Sequence, residues 1–210
     1  MHRIVAVLIM SVVAGCADPK AATETNFRVA LQHYLNTAYP KCYYTENFPV
    51  TRNLHVGDTQ AILESLVKVG LLSVKEVSRQ ELAGEYFTGG KTRTIVQMAY
   101  DLTEEGRKFY TPNAEKNPFG GSRGGFCFGR ATVKAVTQFT EPADLLGQKV
   151  SRVQYTYVVS DLPPWARMPE VQSSLTALKE DATSDATPVK ALAALILTNT
   201  GWVHEKLFAP

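Results

Sequence analysis

Apolar positions recur at helical spacing twice in the first half of the chain. Phe27, Leu31, Tyr34, Leu35 and Ala38 share one face of a segment over 25–39. Thr23 or Thr25 is placed to cap its start, and Pro40 ends it. Ile62, Leu63, Leu66 and Val69 repeat the pattern over 59–69, behind Asp58 as N-cap and before Gly70 at the C′ position. Period two then takes over. Residues 71–77 read as a strand, and over 91–102 Thr94, Val96, Met98 and Tyr100 share a face. Thr103 caps a short helix, EEGRKFY. The aromatic-rich segment 41–57, with Pro49 and Gly57, reads as a packed loop, and 78–90 as a loop ending in the turn Gly89-Gly90.

The second half alternates more strongly. Strands are predicted over 127–139, 150–160, 189–198 and 202–207, the last two joined by a hairpin turn at Asn199-Thr200-Gly201. A short helix falls near 169–178, and 179–188 is a polar loop. Between the halves, 111–125 holds two Pro and four Gly and is the predicted domain boundary. The expected fold is α+β. An N-terminal half over 25–112 precedes an antiparallel four-stranded sheet with a packed helix over 126–210.

Composition narrows the partners. Hydrophobic residues are 45% and charged residues 20%, a globular balance. Lys+Arg is 22 against Asp+Glu 20, so the formal charge of +2 lacks the basic excess of a nucleic-acid binder. No apolar run reaches the ~18 residues of a membrane span.

The first residues, MHRIVAVLIMSVVAGC, carry a targeting pattern: Arg3, a short apolar stretch from Ile4 to Val13, then small residues. Val13-Ala14-Gly15-Cys16 resembles the lipobox of bacterial lipoproteins. The resemblance implies removal of residues 1–15, a diacylglycerol on the Cys16 thiol and usually acylation of the new N-terminus. One acyl chain anchors only marginally, whereas two or three on one residue hold a protein on a bilayer stably. Ala17, rather than Asp, follows the cysteine, which by the family's sorting rule implies the outer membrane, with the body facing the periplasm. Residues 16–24 then read as a tether. The partners implied are the membrane, through the lipid on Cys16, and an envelope protein or the cell wall.

Cys42 and Cys127 remain. In an oxidising envelope compartment they are expected to form one disulfide, contributing ~4.5 kcal/mol in the chain-entropy model; two buried free thiols are the alternative. No CxxC motif points to redox or zinc chemistry.

The stretches LESLVKVGLLSVKEV and TRTIVQMAYDLTEEGRKFY resemble a winged-helix domain, a likeness covering about 25–112. It implies a fold rather than a function. The helix ahead of the wing offers Asp58, Gln60, Glu64 and Ser65 with one base, Lys68, where a DNA reader places basic and polar side chains. A DNA-binding regulator is therefore a minor alternative.

Chemistry-bearing motifs are sparse. Gly120-Gly121-Ser122-Arg123-Gly124 fits G-x-S-x-G, but a nucleophile elbow needs a strand before the serine and a helix after it. Here Asn117-Pro118 precedes Ser122 and a strand rather than a helix follows, so a weak hydrolase centred there is the second alternative, with His204 as the downstream histidine. His33, His55 and His204 lack the spacing of a zinc site, and no metal or cofactor is expected. Glu104 and Glu105 sit where acids favour a helix dipole. Aromatics in predicted loops supply a candidate binding surface at Tyr43, Tyr44, Phe48 and Trp165, with packing around the disulfide as the simpler explanation. The expectation is a non-catalytic binding or assembly protein.

Overall fold

A computed structural model describes residues 18–44, 46–54, 58–82, 93–116 and 120–208. The order is α1 (Glu24–Ala38), β1 (Lys41–Tyr44), β2 (Val50–Asn53), α2 (Asp58–Lys68), β3 (Leu72–Leu82), β4 (Arg93–Leu102), α3 (Glu104–Phe109), β5 (Tyr110–Lys116) and β6 (Ser122–Phe128). It continues with β7 (Arg130–Phe139), β8 (Ala143–Leu145), β9 (Gln148–Ser160), α4 (Pro169–Ser174), α5 (Thr176–Ala182), β10 (Val189–Thr198) and β11 (Gly201–His204). The fold is α+β with antiparallel pairing throughout the described strands.

The strands form three sheets, ordered β1-β6-β5, β2-β4-β3 and β11-β10-β9-β7. In the last sheet β8 also pairs with β9, so five strands curve as a half-barrel around α1. The helix begins where Thr23 accepts a hydrogen bond from the Asn26 amide and ends ahead of Pro40. Its buried face (Phe27, Leu31, Leu35) packs on Val133 of β7, Val153 and Tyr155 of β9, Leu195 of β10 and Trp202 of β11. Each such side chain contributes about 1.5–3 kcal/mol by leaving water. The same cluster continues through Leu63 and Leu66 of α2, Tyr100 of β4 and Phe126 and Phe128 of β6.

α1 also closes the free edge of its sheet. Gln32 accepts from the Val133 amide at 2.9 Å and donates to the Ala131 carbonyl at 3.0 Å. Arg28 donates to the carbonyls of Val133 and Lys134 at 3.2 and 3.0 Å. An edge strand left open is a template for unwanted pairing, and here side chains of the helix occupy it.

Several expectations are corrected. Segment 41–57 carries strands β1 and β2 rather than a loop alone. The glycine-rich stretch 111–125, expected as the domain boundary, carries β5 from its second residue onward and the first four residues of β6. Gly124 serves packing: a Cβ there would run into the Tyr110 hydroxyl, which reaches across the strand to donate to the Glu46 carbonyl at 2.6 Å. The single strand expected over 127–139 is two, split at Gly129 with its φ of 80°. β3 extends to Leu82, β8 adds a strand to the expected four, and the helix near 169–178 is two short ones, α4 and α5.

The tether is corrected too, from Asp18 onward. Trp202 Nε1 lies 3.1 Å from the carbonyls of both Lys20 and Ala21. Asn26 donates to the carbonyls of Asp18 and Ala21 at 2.8 and 2.9 Å. This segment is fastened to the body.

Candidate functional site

The chain leaving α1 carries Tyr39 and Lys41 on either side of Pro40, and both meet Asp181 of α5. Tyr39 donates its hydroxyl proton to Asp181 Oδ1 at 2.9 Å. Lys41 Nζ lies 2.9 Å from Oδ2 and 3.2 Å from Oδ1, and 4.8 Å above the Tyr39 ring centroid. The Asp181 side chain is 1% exposed and that of Lys41 34%. A buried carboxylate is tolerable only when its acceptors are satisfied, and here a cation and a phenol satisfy them. Burial, and then the Asp181 charge, push the Tyr39 phenol far above its ordinary range, so it remains a donor. Behind Asp181, its own carbonyl accepts from the Ser184 hydroxyl at 2.7 Å, and Ser184 Oγ accepts from the Val159 amide at 2.8 Å. The cluster therefore ties α5 to both β9 and the end of α1.

Cavities open around this cluster. One of about 430 Å³ is walled by Lys41, Tyr43, Phe128, Ser174, Leu175 and Leu178, with the Cys42 end of the disulfide at its rim. A smaller one, about 200 Å³, lies on the other side of Lys41 among Tyr34, Tyr39, Tyr155, Tyr157 and His204. A third, about 520 Å³, has a mixed polar and apolar lining, with Asn36 and the exposed Arg130–Asp161 pair among its walls. The first combines mainly apolar walls with one cationic group at its edge, which suits a small apolar group bearing a hydrogen-bond acceptor. Burial pushes the Tyr43 phenol up to about 12, against the opposing charge of Arg123, and also moves Tyr155 to about 12. Both walls thus present neutral hydroxyls at ordinary pH.

Cys42 and Cys127 form a disulfide directly across the β1–β6 pair. Cys16 lies outside the described residues, as does His55. Of the candidate surface aromatics, Trp165 is corrected. It is 4% exposed, with the rings of Phe126 and Phe128 at 6.0 and 5.8 Å, and it presents no face to a partner. Its Nε1 has no hydrogen-bond partner among the described residues. Phe48 is half-buried against Tyr110 at 5.5 Å. Tyr43 is half-buried and walls the first cavity. Tyr44 stands opposite Gly125 in β1, its side chain outside the description.

Ser122 opens β6 and hydrogen-bonds Asn113, with no helix following it. His204 lies in a different sheet, buried and stacked on Tyr34 at 3.7 Å, and its Nδ1 accepts from the Lys206 amide at 3.1 Å. Glu104 and Glu105 occupy the first turn of α3, behind Thr103 as N-cap. Among the described residues no group of three or more His, Cys, Asp or Glu is placed to hold a metal, and no helix is long and apolar enough to cross a membrane.

Sequence reasoning missed the Tyr39–Lys41–Asp181 cluster. Asp181 sits in the polar run KEDATSDATP, where nothing separates it from its solvated neighbours. The one local signal was Leu178 three residues earlier, which places Asp181 on the buried face of a helical turn. Comparison with protein-family models, with curated proteins and with solved structures finds no match.

Proposed function

We propose that the chain is a bacterial envelope lipoprotein, held on the outer membrane through acylated Cys16 with its body facing the periplasm, and that the body binds rather than catalyses. The observation that carries this is Val13-Ala14-Gly15-Cys16 directly behind a short apolar stretch that follows Arg3. The Cys42–Cys127 bridge supports it, because such bridges persist in oxidising compartments. Ala17 supports outer-membrane sorting. The partner is an envelope protein or a cell-wall component, and the cavity beside Lys41 is where a small apolar group with an acceptor would enter. The part that resembles a winged helix in sequence, over about 25–112, is a scaffold in this proposal.

The test is acylation. Cells expressing the full chain are fed labelled palmitate, and the mature N-terminus is read by mass spectrometry. Label on the protein, a start at Cys16 and loss of both in Cys16→Ser support the proposal. An unmodified thiol, or residues 1–15 still attached, overturns it. Loss of a measured activity in Ser122→Ala with the fold intact would favour the hydrolase instead, and a cytoplasmic pool bound to DNA would favour the regulator.

A further inference from the structure

One end of the half-barrel gathers features that the fold alone does not require. Leu145 pairs with Gln148 across β8 and β9, and Thr198 pairs with Gly201 across β10 and β11. The β9–β10 register (Val150 opposite Ile196) continues to set Gln148 beside Thr198. Leu145, Gln148, Thr198 and Gly201 thus form a row across four neighbouring strands, about 14 Å at the usual strand spacing. At the end of that row lies Pro19: a Cβ on Gly201 would stand 3.0 Å from its carbonyl oxygen. Trp202 and Asn26 pin residues 18–21 here. Cys16 precedes Asp18 by two residues, so covalent geometry keeps it within about 7 Å of Asp18.

The turn after Leu145 points the same way. Leu146 and Gly147 are the two central residues of the β8–β9 hairpin, with φ of 51° and 81°. Two-residue turns with both φ positive favour Asn-Gly, and a branched apolar side chain in that region is sterically costly. Leu146 is nevertheless 97% exposed, beside Leu145 at 59%. A large apolar residue in a backbone conformation that disfavours it, with nothing packed around it, is a local inconsistency of the kind found at functional positions. The flanking charges, Asp144 and Lys149, lie 3.4 Å apart and offset each other.

We propose that the β8–β9 turn, with Leu146 at its tip, passes the headgroups to the edge of the acyl chains beside acylated Cys16 and fixes how the body stands on the membrane. The proposal rests on the lipoprotein assignment above. The lipid supplies attachment and the turn supplies orientation, because one flexible anchor leaves a body free to rotate about it.

The experiment uses the full, acylated protein in vesicles of phosphatidylethanolamine and phosphatidylglycerol, with bromine on the acyl chains as a short-range quencher. Leu146→Trp places the reporter at the tip. Asp185→Trp places it near the start of β10, at the opposite end of the sheet, and the unsubstituted protein gives the baseline from Trp165 and Trp202. The added emission at 146 should shift to shorter wavelength and lose most of its intensity to bromine, while that at 185 stays at the wavelength of water and is not quenched. Emission at 146 matching that at 185, in protein whose Cys16 is shown by mass to be acylated, overturns the seating and leaves the lipoprotein assignment standing. A bare Cys16 overturns both.

Discussion

Removing Lys41 is the sharpest test of the buried cluster. Asp181 is 1% exposed and receives its side-chain hydrogen bonds from Tyr39 and Lys41. In Lys41→Met the carboxylate, 1% exposed, keeps only the phenol. Stripping one partner from a buried pair costs about 3–5 kcal/mol, a large part of the 5–15 kcal/mol typical of a domain. The opposite change is milder. Asp181→Asn leaves an acceptor for Tyr39, and Lys41, a third exposed, is free to turn toward solvent, so about 1–3 kcal/mol is expected. In the double variant the stranded charge is gone, and its cost should fall well below the sum of the two singles. Urea unfolding of the body without its lipid, followed by the emission of buried Trp165 and Trp202, measures all three, with an unchanged m-value confirming that only stability moved. If Lys41→Met costs less than about 1 kcal/mol and the two changes simply add, the pair behaves as a solvated one and the cluster does not hold α5 in place.

Replacing Cys42 and Cys127 together by Ala should lower stability by about 2–4.5 kcal/mol, read from urea midpoints under oxidising conditions, since the bridge spans 85 residues. Burial holds the His204 imidazole below its ordinary range, with Lys206 adding to the shift and Glu205 opposing it. The unfolded chain therefore takes up a proton first as pH falls through about 6.5, and the His204 contribution to stability is lost on acidification; His204→Phe, which keeps a ring on Tyr34, should flatten the slope of midpoint against pH between about 5 and 7. Leu146→Asn should raise the stability of the lipid-free body by about 0.5–1 kcal/mol, read from urea midpoints, because Asn tolerates positive φ better; a loss of stability would show that Leu146 serves the fold.

What the sequence made legible was what regular periodicity encodes. α1 and α2 announce themselves by apolar spacing and capping residues, β9 by alternation, and β10 by a continuous apolar run closed by the Asn199-Thr200-Gly201 turn. β1, β5 and β6 do not, because they are short and their pairing is decided by the disulfide and by Tyr110 crossing Gly124, contacts between distant residues. Gly and Pro in 111–125 carry the same composition whether they make a linker or a crowded strand pair. The cluster at Asp181 was invisible for a related reason. A charged residue in a polar run is exposed by default, and only the docking of α5 against β9 and the end of α1 makes this one buried. The Cys42–Cys127 pairing was legible because, with Cys16 set aside, two cysteines leave one arrangement.

α1 is the element that relates the two ends of the molecule. Its first turn lies by Trp202, Phe139 and the fastened residues 18–21, and its last turn opens onto Lys41 and the cavities. Fifteen residues of helix separate these ends by about 22 Å. On the proposed seating, the Leu146 end meets lipid and the Lys41 cavity lies at the other end of α1, about that helix length from the fastened residues. The occupant of the cavity would then arrive from the aqueous side rather than from the bilayer beneath. Arg28 and Gln32 matter to this geometry as much as the apolar face does, because their bonds to β7 fix the helix on the sheet and keep the two ends at a constant separation. A body built to hold an opening at a set height needs that rigidity, whereas one that only needed attachment would be served by a loose tether.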